Sequence, residues 1–174
     1  MLAAAEQLLG WRLRTEFDGE ATEVSLSEVE AYAGYDDPAS HAFNGETKRN
    51  RSLFAPPGTL YVYLSYGIHW CMNVVVGDEG TPNAVLLRGG VPVVGADVME
   101  RRRGRADHLA DGPGKLTQAL GVTDAHDGSS LSDGPVLLTP AQPPDGWTIL
   151  TTPRIGISKA VDRPWRFALE SPGR

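Results

Sequence analysis

The sequence predicts an α+β fold, a largely antiparallel sheet with a few short helices. Three observations carry that expectation. Runs with strand period outnumber runs with helical period, each helical run is short and meets a glycine, and strands and helices do not alternate in the rhythm of a doubly wound sheet. With 174 residues, 41% hydrophobic and 22% charged, the chain has the make-up of one compact domain over residues 1–174. A domain of that size buries a core without disulfide or metal staples.

The elements follow in order. Residues 2–9 read as a short helix with Leu2, Ala5, Leu8 and Leu9 grouped and Gly10 as its stop, and residues 11–17 as a strand. Next, Val24, Leu26, Glu28, Glu30 and Tyr32 alternate with Ser25, Ser27, Val29 and Ala31. Strict strand parity then places both carboxylates on the face of Val24 and Leu26. Residues 36–57 carry Gly, Pro, Asn and Ser without periodicity and read as a long surface-following loop, which calls for a functional reason. Residues 60–64 and 68–76 are strand-like runs separated by Ser65-Tyr66-Gly67, where Gly67 can supply positive φ and Tyr66 is carried at the tip. Further on, residues 84–87 read as a buried strand, 95–103 as a short amphipathic helix ending at Gly104, and 114–120 as another ending at Gly121. Short strands are expected at 136–138 and 154–157, with a proline-rich connector at 140–145. There is no internal repeat and no low-complexity tract.

Composition and motifs exclude several function classes. No apolar stretch reaches the roughly 20 residues of a membrane span, and the start lacks a basic region leading into an apolar one, so a cytoplasmic location is expected. Cys71, the sole cysteine, precludes an internal disulfide and fits a reducing compartment. His41, His69, His108 and His126 form no H-x-x-x-H pair and have no cysteine at zinc spacing, so no metal is expected. Without a Walker loop or a G-x-G-x-x-G fingerprint, no nucleotide cofactor is expected either. Neither G-x-S-x-G nor S-x-x-K occurs, and Cys71 lies inside an apolar run, which argues against a serine or cysteine nucleophile.

Charge is uneven. The net charge is −6, and residues 16–37 hold eight acids and no Lys or Arg. Arg101, Arg102, Arg103, Arg105 and Lys115 outnumber Asp107 and Asp111, and Lys48, Arg49 and Arg51 crowd around Glu46. Solvated surface is the plain reading of such runs; clustered in space, they would form a positive face. Among the acids, Glu28 and Glu30 stand out beside Tyr32 and ahead of His41. A carboxylate on a half-buried strand can act as a general base, while an exposed strand face is the plainer alternative. Tyr61, Tyr63 and Trp70 read most simply as core. Tyr66 differs, because a turn residue is hard to bury; it either lies flat on the surface or enters a base stack.

The ordered set Val29-Glu30-Ala31-Tyr32, His41-Ala42, Thr47-Lys48-Arg49-Asn50-Arg51, Pro57-Gly58-Thr59-Leu60-Tyr61-Val62-Tyr63, Tyr66-Gly67, Cys71-Met72-Asn73 and Leu86-Leu87-Arg88 resembles the alkyladenine (3-methyladenine, methylpurine) DNA glycosylase family. Gly112-Pro113-Gly114-Lys115-Leu116, Gln118-Ala119-Leu120, Arg154-Ile155-Gly156 and Arg163-Pro164-Trp165-Arg166-Phe167 extend the likeness over nearly the whole chain. The resemblance implies a single mixed domain with a curved antiparallel sheet and a protruding, DNA-intercalating hairpin. The implied reaction flips a damaged purine out of duplex DNA and hydrolyses its N-glycosidic bond, without a cofactor. By the same resemblance Glu30 is the general base and Arg88 helps hold the carboxylate and its water. Tyr32, His41, Tyr63 and Asn73 form the base pocket, with Asn73 excluding the exocyclic amino group of normal guanine. Tyr66 fills the space the base leaves, and Thr47, His69, Arg103 and Lys115 meet the DNA backbone.

Some positions depart from the family pattern. Little precedes the first helix, so weaker nonspecific DNA affinity is expected; His69 stands where some relatives carry tyrosine, and residues 79–82 are an extra stretch. Lys115 is a lysine in a matched motif that could in principle form a Schiff base, but the family lacks a lyase step, so a monofunctional enzyme is expected. Double-stranded DNA is the expected partner, with no membrane and no obligate protein partner. A monomer suffices, since one chain supplies every matched residue. Two other readings compete: a non-catalytic damaged-DNA binding module, and a glycoside hydrolase using Glu28 and Glu30.

Overall fold

The structure, a computed structural model, describes residues 1–172. Eight antiparallel strands form one sheet: β1 (Arg12–Phe17), β2 (Glu20–Ala33), β3 (Leu60–Ser65), β4 (His69–Val76), β5 (Asn83–Val94), β6 (Val136–Thr139), β7 (Thr148–Thr152) and β8 (Arg166–Glu170). Their order is β3-β4-β5-β2-β1-β6, with β8 pairing both β2 and β7. Three short helices flank the sheet: α1 (Leu2–Leu8), α2 (Ala96–Arg103) and α3 (Pro113–Ala119). The α+β class expected from periodicity is the one observed. No helix among the described residues is long and apolar enough to cross a membrane.

Strand β2 is the spine of the sheet. Along one edge it pairs with β5, and along the other it exchanges partners, pairing β1 from Glu20 to Ser25 and β8 from Glu28 to Glu30. Glu30 therefore lies opposite Leu86 on one side and Arg166 on the other, closed in by backbone on both flanks. The β2–β5 ladder is irregular at this point. Leu26 pairs with Gly90, Glu28 with Gly89 and Val29 with Leu87, which leaves Ser27 unmatched on β2 and Arg88 unmatched on β5. Bulges of this kind bend a sheet and re-aim side chains.

That double bulge corrects the parity expectation for the carboxylates. Val24 and Leu26 are in the main apolar core, and so are Val29 and Ala31, three and five residues beyond Leu26. The extra residue at Ser27 switches the alternation, so Glu28 and Glu30 project to the face opposite Val24 and Leu26. Glycine is required opposite Leu26, just before the bulge: a Cβ on Gly90 would come within 2.7 Å of the Val24 side chain.

Helix α1 ends where Gly10 turns at φ +86°, a position where a Cβ would meet the backbone of Pro143 at 2.4 Å. On the same side of the sheet, Leu116 and Ala119 of α3 and Met99 of α2 complete the core. Residues 154–157 do not form the expected strand; they belong to the β7–β8 connection, because their polar groups bond into the site described next rather than into a ladder. Strands β7 and β8 themselves were not anticipated. β7 is short and mostly exposed, and neither carries a clean two-residue alternation.

Candidate active site

Four adjacent strands divide their side chains between two surfaces. Leu60, Val62, Met72, Val74, Val85, Leu87, Val29 and Ala31 enter the main core. The alternate residues Tyr61, Tyr63, Cys71, Asn73, Ala84, Leu86, Arg88 and Tyr32 line a cavity of about 800 Å³ on the other side. That volume is in the range of small-molecule sites. Its remaining wall comes from the 38–53 loop, the hairpin end with Tyr66, Pro113, and residues 155–159. Arg49, Arg88 and Lys159 line the cavity, and no Asp or Glu does.

Glu30 sits directly behind this wall with no solvent exposure. Its Oε1 accepts from the Ile155 amide at 2.7 Å and its Oε2 from the Tyr32 hydroxyl at 2.9 Å. Nη1 of Arg88 lies 3.4 Å from Oε2. All three of these neighbours line the cavity, so they separate the carboxylate from bulk solvent while joining it to the pocket. Burial and the adjacent Glu30 push the Tyr32 hydroxyl far up, which keeps it protonated and a donor. The exposed-strand reading of this carboxylate is thus overturned.

Glu28 plays a different part. Its Oε1 accepts from Nε of Arg88 at 2.8 Å and from Nε of Arg166 at 2.7 Å. Burial opposes its ionisation, but the two guanidinium groups outweigh that and hold its carboxyl below the usual range. Arg88 therefore bridges two carboxylates, fixed by Glu28 at one edge and facing Glu30 at the other.

The aromatic walls form a second unit. The His41 and Tyr63 rings meet edge-on with centroids 4.5 Å apart, and Tyr61 stacks beside Tyr63 at 5.6 Å. His41 Nδ1 is 2.9 Å from the Tyr61 hydroxyl. Burial, helped by Arg49, lowers the His41 pKa, so the ring is neutral at neutral pH and offers one donor and one acceptor nitrogen. Burial raises the phenols of Tyr61 and Tyr63. Asn73 is buried at the pocket floor, its Nδ2 donating to the Tyr61 carbonyl at 3.3 Å. The loop that carries His41 is stapled by Asn50, whose Nδ2 donates to the carbonyls of His41 (2.9 Å) and Gly45 (3.0 Å).

At the β3–β4 turn, Tyr66 and Gly67 have φ of 50° and 72°, the signs that a type I′ hairpin turn demands. Tyr66 is 86% exposed, and Ile68 beside it is exposed as well. The tip is therefore an apolar projection at the cavity mouth. Of the positions expected to meet a DNA backbone, Thr47 lines the cavity, with its amide and hydroxyl both donating to Asn50 Oδ1 at 2.6 and 2.9 Å. His69 pairs with Ser65 next to the turn and packs against Gly114, where a Cβ would fall 2.9 Å from that of His69. Lys115 follows Gly114 and donates to Asp111 at 2.9 Å. Arg103 does not line the cavity and donates to Gln118 of α3.

With this geometry in place, comparison with known proteins gives a consistent answer. The family described as Methylpurine-DNA glycosylase (MPG) matches residues 1–172. The chain belongs to the methylpurine-DNA glycosylase family. A relative from Methanoculleus marisnigri, provisionally named a 3-methyladenine DNA glycosylase, is 49% identical, covering 97% of this chain and 90% of its own. Relatives of the same provisional name from Rhodopseudomonas palustris (50% identical; 95% and 80% covered) and Agrobacterium fabrum (50%; 97% and 83%) agree. Membership supports DNA glycosylase activity on alkylated purines and a place in base excision repair.

The site also holds groups to which the sequence alone assigns no role. Chief among them are the Ile155 amide, which has no side-chain signature, and Arg154, buried with Asp37. Tyr61, which by its sequence reads as core, reaches His41 with its hydroxyl, and Arg166 is bonded to Glu28. The Arg163-Pro164-Trp165-Arg166-Phe167 block was a usable signal, since aromatic and guanidinium residues so closely interleaved seldom serve the surface alone.

Proposed function

We propose that this protein is a monofunctional glycosylase that excises alkylated or deaminated purines of the 3-methyladenine, 7-methylguanine, hypoxanthine and ethenoadenine class from duplex DNA, with Glu30 as general base. The observation that carries this reading is a solvent-shielded carboxylate, held by two hydrogen-bond donors and the Arg88 guanidinium, at the back of a cavity walled by Tyr32, His41 and Tyr63. Glu30 takes a proton from water, the resulting oxygen bonds to the sugar C1′, and the C1′–N bond breaks with its electron pair leaving on the purine. Arg88 holds the carboxylate and the incoming water. General-base help of this kind contributes about 10²–10⁴-fold.

The aromatic walls stack the flipped base, and Asn73 selects against the amino group of guanine by clash or by an unmet hydrogen bond. Tyr66 fills the gap in the duplex, an insertion that offsets the roughly few kcal/mol cost of unstacking. Thr47, His69, Arg103 and Lys115 meet the backbone, and one chain acts alone. The test is base release from duplexes bearing single hypoxanthine, ethenoadenine or 3-methyladenine-analogue lesions. Alkali-dependent strand cleavage by wild type and none by Glu30→Gln is expected. No release from any lesion, with tight lesion binding by both proteins, would leave a damage-binding protein instead.

A further inference from the structure

Arg154 is buried to 5% exposure, and Asp37 to none. A fully buried ion pair needs good geometry and additional hydrogen bonds to offset its desolvation, and it is a costly way to fix a loop. The pair here has such bonds at both terminal nitrogens of Arg154, while its Nε has no partner among the described residues. Nη2 of Arg154 donates to Asp37 Oδ1 at 2.9 Å, Nη1 also meets Asp37 Oδ2, and Nη1 donates to the Ala31 carbonyl at 2.9 Å. Asp37 in turn accepts from the amides of Ala39 (3.1 Å) and Ala33 (3.4 Å). Burial opposes its charge, and Arg154 with these amides outweighs that opposition and keeps it ionised.

What the pair touches gives it a role beyond packing. Ala31 lies between Glu30 and Tyr32, and its carbonyl is held by Arg154 while its amide donates to the Trp165 carbonyl at 2.9 Å. The guanidinium lies 4.5 Å from the centre of the Tyr32 ring, whose hydroxyl donates to Glu30 Oε2, and 5.1 Å from that of Trp165. The residue after Arg154 is Ile155, whose amide donates to Glu30 Oε1. Both hydrogen-bond donors on Glu30 are thus attached to the same buried cation, one through the chain and one through a ring face.

We propose that the Asp37–Arg154 pair is a positioning device for Glu30, aligning the Ile155 amide and the Tyr32 hydroxyl on the two carboxylate oxygens. This rests on the reading of Glu30 as the general base. Catalytic geometry has to be held within about half an ångström by groups whose own rotamers are locked, and a bidentate guanidinium wedged against an aromatic ring supplies that. Lysine at 154 can keep a charge near Asp37 but cannot span carboxylate, carbonyl and ring face together.

Arg154→Lys and Asp37→Asn are assayed under single turnover with saturating enzyme, below their melting temperatures, alongside the dissociation constant for the lesion duplex. Both variants should lose at least tenfold in excision rate while lesion affinity moves less than threefold. In a Glu30→Gln background the same changes should lower the residual rate no further, since the pair acts through Glu30. Where Arg154→Lys fails to fold, the near-isosteric Asp37→Asn carries the test. An unchanged rate in the folded variants, or a loss confined to affinity, would overturn the proposal while leaving Glu30 as the base. Full activity of Glu30→Gln would overturn the reading beneath it.

Discussion

Glu30 and Tyr66 lie at opposite extremes of exposure, 0% and 86%, although short segments of one sheet carry both. Glu30 is flanked by strands on each side and has its donors in place before any partner arrives. Tyr66 rides a two-residue turn of positive φ that holds its ring away from the protein. A group that removes a proton gains from a dry, fixed setting, where electrostatic interactions are strong. A group that enters a base stack must first be unburied. The sheet thus gives the proposed base, behind the cavity wall, and the proposed wedge, at the cavity mouth, two separate environments.

The largest effect should come from the buried member. Glu30→Gln is expected to lower single-turnover excision by about 10²–10⁴-fold with little change in lesion affinity, as read by base release and by gel shift. A matching loss of affinity would break the division of labour. Tyr66→Ala should do the reverse, weakening lesion binding by about 1–3 kcal/mol, the worth of one base–aromatic stack. Its melting temperature should hardly move, because the ring is solvated. The comparison sharpens with a lesion opposite a mismatch, where less stacking has to be undone. There the Tyr66→Ala deficit should shrink and the Glu30→Gln deficit should persist.

A smaller effect concerns the neighbour of Glu30 that holds Arg88. Glu28 is kept below its ordinary value of 4.5 by Arg166 and Arg88, against the opposing effect of burial. Its contribution to stability is therefore fully present above the unfolded chain's pKa and is lost as pH falls through the lower, folded one. Thermal melts from pH 7 to pH 3 should show Glu28→Gln less stable than wild type at neutral pH and falling less on acidification. Parallel curves would mean that the two guanidinium groups are indifferent to the Glu28 charge.

Much of this was legible in the sequence. Strand-like runs in the sequence mark β1 to β6 but not β7 or β8, and Tyr66-Gly67 between two such runs marks an exposed tip. Parity failed at one residue, Ser27, because a bulge leaves no periodic trace and yet moves every later side chain to the other face. The Ile155 amide was invisible for a related reason, since a backbone donor has no residue type. Residues 154–157 look like a strand by composition, and what decides their conformation is a burial partner more than a hundred positions earlier in the chain, Asp37. Local pattern therefore left the role of Glu30 open, the family resemblance singled it out, and neither carried a trace of the Ile155 amide that holds it.

The smallest effect expected is electrostatic and concerns the start of α3. Lys115 donates to Asp111 Oδ1 at 2.9 Å, and His108 also bonds that carboxylate. Partial burial opposes the charge on Asp111, but these contacts pull its carboxyl down to about 2, so it is ionised throughout the working range. A phosphate reaching Lys115 must compete with that carboxylate. If Lys115 neutralises one phosphate, Lys115→Met should flatten the slope of log affinity against log salt by about 0.9, equally for lesion and undamaged duplex. Asp111→Asn should act in the opposite sense, freeing the lysine and raising low-salt affinity for both duplexes, with excision at saturating enzyme unchanged. A Lys115→Met protein with wild-type salt dependence would remove this lysine from the proposed backbone contacts, leaving Thr47, His69 and Arg103.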